Sequence, residues 1–147
     1  MSGEDLPAAA VVLTQVAVAQ GLAAACALSK VPVDAVPTDI GAVGVCRTTA
    51  VGDPERAAAV ISKLLKNTPV VLLTQRDGQM TASRWSAGSK GEDIAPVLML
   101  DGAPPVVEQL LLGQVTPQEL PGVVSSVGMS RWTAMRILAA AAKRRRA

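Results

Sequence analysis

The sequence predicts an α+β protein, on three observations. Short β-branched runs punctuated by glycine and proline occupy much of the first hundred residues. Two strand-like stretches flank an Asp-Gly pair, Asp77-Gly78, a strong local hairpin signal. From Asp101 onward the apolar period turns helical. The expected architecture is a small mixed sheet with a β-hairpin (70–85) and packed helices, followed by a C-terminal three-helix segment. Residues 1–100 would form the α+β core and 101–147 a helical segment with a basic tail, as two units or one continuous domain.

In chain order, Ala8 to Gln15 reads as a short buried strand or as the first turns of a long helix. Val16 to Lys30 is helical, with Ala19, Leu22, Ala23, Cys26 and Ala27 on one face. Pro32 and Pro37 end that helix, since each restricts itself and its predecessor. Ile40 to Thr48 reads as a strand in which Gly41 and Gly44 suggest a bulge or a close backbone approach. Asp53 is a candidate N-cap, with Pro54 at the first helical position and Glu55 near the positive end of the dipole. Ala57, Val60, Ile61, Leu64 and Leu65 form the apolar stripe, and Asn67 and Pro69 stop the helix. The hairpin pairs Val70–Arg76 with Gln79–Trp85. Ser86 to Asp93 reads as a polar loop and Ala95 to Leu100 as a further strand. Pro104 to Leu112 is a short helix closed by Gly113. Thr116-Pro-Gln-Glu119 is a capping box that opens another helix, kinked or restarted at Pro121. Gly128 breaks it, and Ser130 caps the last helix, Arg131 to about Lys143.

Half of the 147 residues are apolar, which argues against disorder, and the only large aromatics are Trp85 and Trp132. Histidine is absent, removing the commonest general acid-base and the commonest transition-metal ligand. Neither G-x-G-x-x-G, G-x-x-x-x-G-K-[ST] nor G-x-S-x-G occurs. Asp34, Asp39, Asp53, Asp77 and Asp101 neighbour Pro, Gly, Thr or similar turn and cap contexts. No enzymatic activity, cofactor or metal is therefore expected. Cys26 and Cys46 lack C-x-x-C spacing and read as buried free thiols. The start is acidic where a signal peptide is basic, so a cytoplasmic protein is expected. Residues 8–28 are uncharged, but Thr14, Gln15, Gln20 and abundant alanine argue against a membrane span.

Charge carries the functional signal. Residues 131–147 hold six Lys or Arg and no acid, whereas residues 1–130 hold eight Lys or Arg against twelve Asp or Glu. A helix this basic is a candidate surface for DNA or another polyanion. The run from Val127 to Leu138, Val-Gly-Met-Ser-Arg-Trp-Thr-Ala-Met-Arg-Ile-Leu, resembles the turn and recognition helix of bacterial helix-turn-helix regulators. The resemblance starts at Leu120, covers about a seventh of the chain, and departs from the pattern at Val124 and Trp132. It implies that Val123, Val127, Met129 and Ile137 pack between two helices, that Gly128 makes the turn, and that the helix from Arg131 enters the major groove. The implied nucleic-acid-binding residues are Ser130, Arg131, Thr133 and Arg136, joined by Lys143, Arg144, Arg145 and Arg146 of the tail. Trp132, Met135 and Leu138 read as helix-packing residues.

Two functions follow. The first is a small nucleic-acid-binding, regulator-like protein whose apolar core supplies dimerisation or holds an effector. The second is a protein-interaction adaptor or chaperone-like subunit whose α+β core docks a partner while the tail only solubilises.

Overall fold

The computed structural model describes residues 8–65 and 68–146, with side chains as far as residue 140. The acidic start and the Asn67 stop signal lie outside the described residues. The elements, in order, are β1 (Ala9–Leu13), α1 (Ala19–Leu28), β2 (Val33–Val36), β3 (Val43–Cys46) and α2 (Asp53–Leu65). Then follow β4 (Val70–Arg76), β5 (Gln79–Ser86), β6 (Ser89–Ile94), α3 (Pro96–Asp101) and α4 (Pro105–Leu111). A 3-10 turn (Pro117–Glu119), β7 (Val124–Ser125) and α5 (Arg131–Arg146) complete the chain. Among the described residues, no helix is long and apolar enough to cross a membrane.

All seven strands form one sheet, in the order β6-β5-β4-β1-β3-β2-β7. Every neighbouring pair is antiparallel, so the small mixed sheet expected from sequence is corrected to a larger, wholly antiparallel one. Helices cover both faces. Because side chains alternate along a strand, Ala10 and Val12 of β1 join Leu22, Cys26, Ala57, Ile61, Leu72 and Trp85 under α1 and α2. Val11 and Leu13 point the other way, into Val43, Leu73, Val107, Leu110 and Leu111 beneath α4. A central strand buried on both faces has no polar alternation, which is why β1 reads as one apolar run. Helix α1 is alanine-rich because it too is covered on two sides, by the sheet and by α5.

Local chemistry explains several elements. Asp77 (φ 51°) and Gly78 (φ 81°) form the two-residue turn between β4 and β5, with Val70 opposite Trp85 and Arg76 opposite Gln79. Gly41 is a close backbone approach: it has φ 132°, and a Cβ there would collide with the Thr14 carbonyl oxygen. At α2 the cap position expected of Asp53 belongs to Gly52, whose carbonyl accepts from the Arg56 N–H at 2.9 Å.

Elsewhere the structure departs from the sequence reading. The stretch between Pro32 and Pro37 is strand β2, its four residues all buried. Residues 86–93 are not a loop: Ala87 and Gly88, both at positive φ, make a second tight turn into β6. That strand is polar because it is the sheet edge and largely exposed. It is also bulged. Ser83 faces Asp93 and Trp85 faces Lys90, leaving Gly91 and Glu92 opposite Arg84 alone. The expected strand at 95–100 is helix α3, for which Pro96 supplies the fixed φ of a first turn.

The expected C-terminal three-helix segment is also corrected. The Thr116–Glu119 capping box forms, with the Thr116 N–H donating to Glu119 Oε1 at 2.8 Å, but it supports only a single 3-10 turn. Residues 120–130 contain no helix, and Gly122 (φ 77°) lies against the Pro37 ring. The free edge of β2 prevails over local propensity. Val124 pairs with Ala35, and the buried Ser126 hydroxyl donates to Val31 O (2.7 Å) while accepting from the Val33 N–H (2.9 Å). Such buried backbone groups need partners, and Ser126 supplies them.

Candidate nucleic-acid interface

Helix α5 begins where Ser130 Oγ accepts from the Thr133 N–H at 3.1 Å, a capping bond in the expected place. Gly128, at φ 84°, turns the chain two residues earlier. The first turns of α5 then present two sides. Ala134 is fully buried, and Ile137 and Leu138 are half-buried. Arg131, Trp132, Met135, Arg136 and Ala139 are exposed, Trp132 to 76%. Positions 132, 135, 136 and 139 recur at three- and four-residue steps, so they form one outward stripe.

The partners expected of the helix-turn-helix do not assemble. Val127 is exposed, Val123 packs into the α4-side cluster, and Met129 packs into the α1-side cluster. The first helix of the motif is replaced by the 3-10 turn and β7. Of the implied binding residues, Arg131 and Arg136 are both exposed, and a spacing of five sets them well apart around the helix. Ser130 and Thr133 are partly spent on each other, the Ser130 hydroxyl donating to Thr133 Oγ1 at 2.9 Å. Lys143, Arg144, Arg145 and Arg146 continue the α5 backbone, and their side chains lie outside the described residues.

The electrostatics of this end are one-sided. No Asp or Glu follows Glu119. Among the described residues, Arg131 and Arg136 form no ion pair with an acid, unlike Arg47, whose Nε lies 3.0 Å from Asp34 Oδ1, or Arg84, 3.0 Å from Glu92. The first turn of α5 carries no acid, so Arg131 adds to the positive end of the helix dipole.

Sequence reasoning missed two features here. Trp132 and Met135 are not helix-packing residues, because α5 turns its Ala134 side toward α1. Gln20, from α1, joins Thr133, Arg136, Ile137 and Ala140 around an open groove of about 290 Å³. A residue 113 positions from Thr133 gives no local signal of that meeting.

A second hollow, about 250 Å³, is lined by Val31, Pro32, Cys46, Thr48, Asp53, Arg56 and Ala57. Its thiol is poorly suited to nucleophilic work. Burial, then the charges of Glu55 and Asp53, push Cys46 up to about 12. Burial and then Cys46 do the same to Cys26, and both cysteines are free. Among the described residues, no group of three His, Cys, Asp or Glu side chains could hold a metal ion. No family model matches this chain, and no curated protein or solved structure is detectably similar to it.

Proposed function

We propose that the protein binds nucleic acid through the outward face of α5 and the basic run at its end, with the sheet as scaffold. The observation that carries this reading is the pair Arg131 and Arg136, exposed and without acidic partners among the described residues, on a helix that ends in four more basic residues and holds no acid. A guanidinium fork matches phosphate geometry, and each phosphate neutralised releases counterions. The mode is a lone helix mounted on a sheet domain, since residues 120–130 supply no supporting helix.

Fluorescence anisotropy across a salt series tests it. Binding should weaken linearly on a log–log plot, and Arg131→Ala, Arg136→Ala or removal of 143–147 should each flatten the slope, by up to about 0.9 for every duplex phosphate no longer neutralised. Unchanged slopes in all three variants would overturn the reading.

The adaptor reading keeps one observation in its favour. On α3, Val97 and Leu98 stand 71% and 69% exposed, an apolar pair suited to a partner protein. A partner protein co-purifying from the native host should then be released by Leu98→Glu; a partner held equally by that variant, or none at all, would remove that reading.

A further inference from the structure

Trp132 is hard to account for by folding alone. The other indole, Trp85, is 7% exposed and donates from Nε1 to Ser83 Oγ at 3.0 Å, as a core tryptophan should. Trp132 leaves three quarters of its surface in water, on the stripe of α5 that also carries Arg136. One helical turn, about 6 Å of rise, separates Trp132 from Arg136. That is comparable with the repeat of an extended nucleic-acid strand. Arg136 in turn stands at the groove between α1 and α5, where Gln20 and Thr133 add hydrogen-bonding groups to an apolar floor of Ile137 and Ala140.

We infer that the strand α5 takes is single-stranded, with one base stacked on Trp132 and the adjoining nucleotide held at the Gln20–Thr133–Arg136 groove. The inference rests on the nucleic-acid reading above and narrows its substrate class. In a duplex the base faces are stacked on one another and closed to an indole, whereas an unpaired base offers its whole π-face. The helix-turn-helix mode of docking in a duplex groove uses a first helix that crosses the backbone, and residues 120–127 provide none. Charge selects the partner's sign: the stripe and everything beyond it are basic or neutral. An anionic bilayer would need a broader apolar face than Trp132 and Met135, since the next position on that stripe is Ala139.

The test is a titration of the full chain, at near-physiological salt, with four probes: a short oligothymidylate, the same length of duplex, an abasic strand of equal charge, and anionic phospholipid vesicles. The oligothymidylate should quench tryptophan fluorescence and bind about 5- to 150-fold more tightly than the abasic strand. Trp132→Ala should remove that advantage and leave abasic binding unchanged. Trp132→Phe should keep most of it, and Gln20→Ala should lower oligothymidylate affinity alone. Circular dichroism should show every variant folded, because Trp132 and Gln20 are exposed. Equal binding to strand, duplex and abasic probe, indifferent to Trp132→Ala, overturns the single-strand inference and leaves the nucleic-acid reading standing. Binding to none of the three overturns both. A fluorescence response to vesicles alone overturns both in favour of a membrane surface.

Discussion

Helices α2 and α5 are built on opposite plans. Helix α2 opens on Asp53 and Glu55, acids placed where the dipole is positive, and sinks Ala57, Ala58 and Ile61 into the sheet. Helix α5 opens on Arg131, with no acid in its first turn, turns its Ala134 side toward α1, and leaves its largest side chain in solvent. The first plan maximises stability. The second gives up dipole complementarity and tryptophan burial, and keeps a positive, aromatic surface. The difference teaches that burial and the dipole account for the residues of α2 but not for those on the outer side of α5.

The largest effect should come from cutting into the buried plan. Ile61→Ala should cost about 2–5 kcal/mol, because α2 and two strands cannot close the void. Met135→Ala on α5 should stay within about 0.5 kcal/mol. Equal denaturant midpoints for the two variants would dissolve the contrast.

Ser126→Ala strikes where α5 is rooted. Losing the hydroxyl strands Val31 O and the Val33 N–H, at a cost of about 1–3 kcal/mol. Hydrogen exchange should quicken in β2 and at the start of α5 before it quickens in α2; uniform protection would argue that β7 anchors nothing.

Alkali should reach the packing of α1 and β3 against α2 through two thiols. Cys26 and Cys46 both have folded values near 12 against 9.0 for the free group, so the fold favours the neutral thiol. Below pH 9 both states are protonated and stability is unaffected. Above it the unfolded chain ionises first, and stability falls as pH climbs toward 12. Near pH 10 the loss should be roughly 1.4 kcal/mol per thiol. A Cys26→Ala, Cys46→Ala protein whose stability declines just as steeply between pH 9 and 10 would sink this account.

The smallest effect in stability is the sharpest discriminator. Arg131→Glu gives α5 the first-turn acid that α2 has, and should raise stability by about 0.3–1 kcal/mol. The same change should weaken nucleic-acid binding. Stability and binding moving in the same direction would mean that α5 is simply a suboptimal helix.

How far these regions could be read from sequence follows from where their determinants lie. The Asp77-Gly78 turn, the start of α2 and the Ser130 cap depend on neighbours within about four residues, so composition reveals them. Strand β2 depends on β3 and β7, and β7 depends on the Ser126 hydroxyl meeting Val31 and Val33, more than ninety positions away. An apolar run of six at 95–100 has no period that separates strand from helix, and Pro96 decides it. The basic character of the candidate interface was plain in Arg131, Arg136 and the tail. The exposure of Trp132 was not, because it turns on which side of α5 meets α1.

The bulge in β6 bears on how copies of this chain behave when crowded. A sheet grows by recruiting another strand only along a straight, uninterrupted ladder. At one border the ladder is bent where Gly91 and Glu92 share a single partner, and Lys90, Glu92 and Asp93 line it with charges already engaged to Asp93, Arg84 and Lys90. At the other border only two residues, Val124 and Ser125, extend beyond β2. Copies gathered side by side along one polyanion would meet at high local concentration, the condition under which open sheets fuse into fibrils. Borders of this kind let such neighbours crowd together and still come apart.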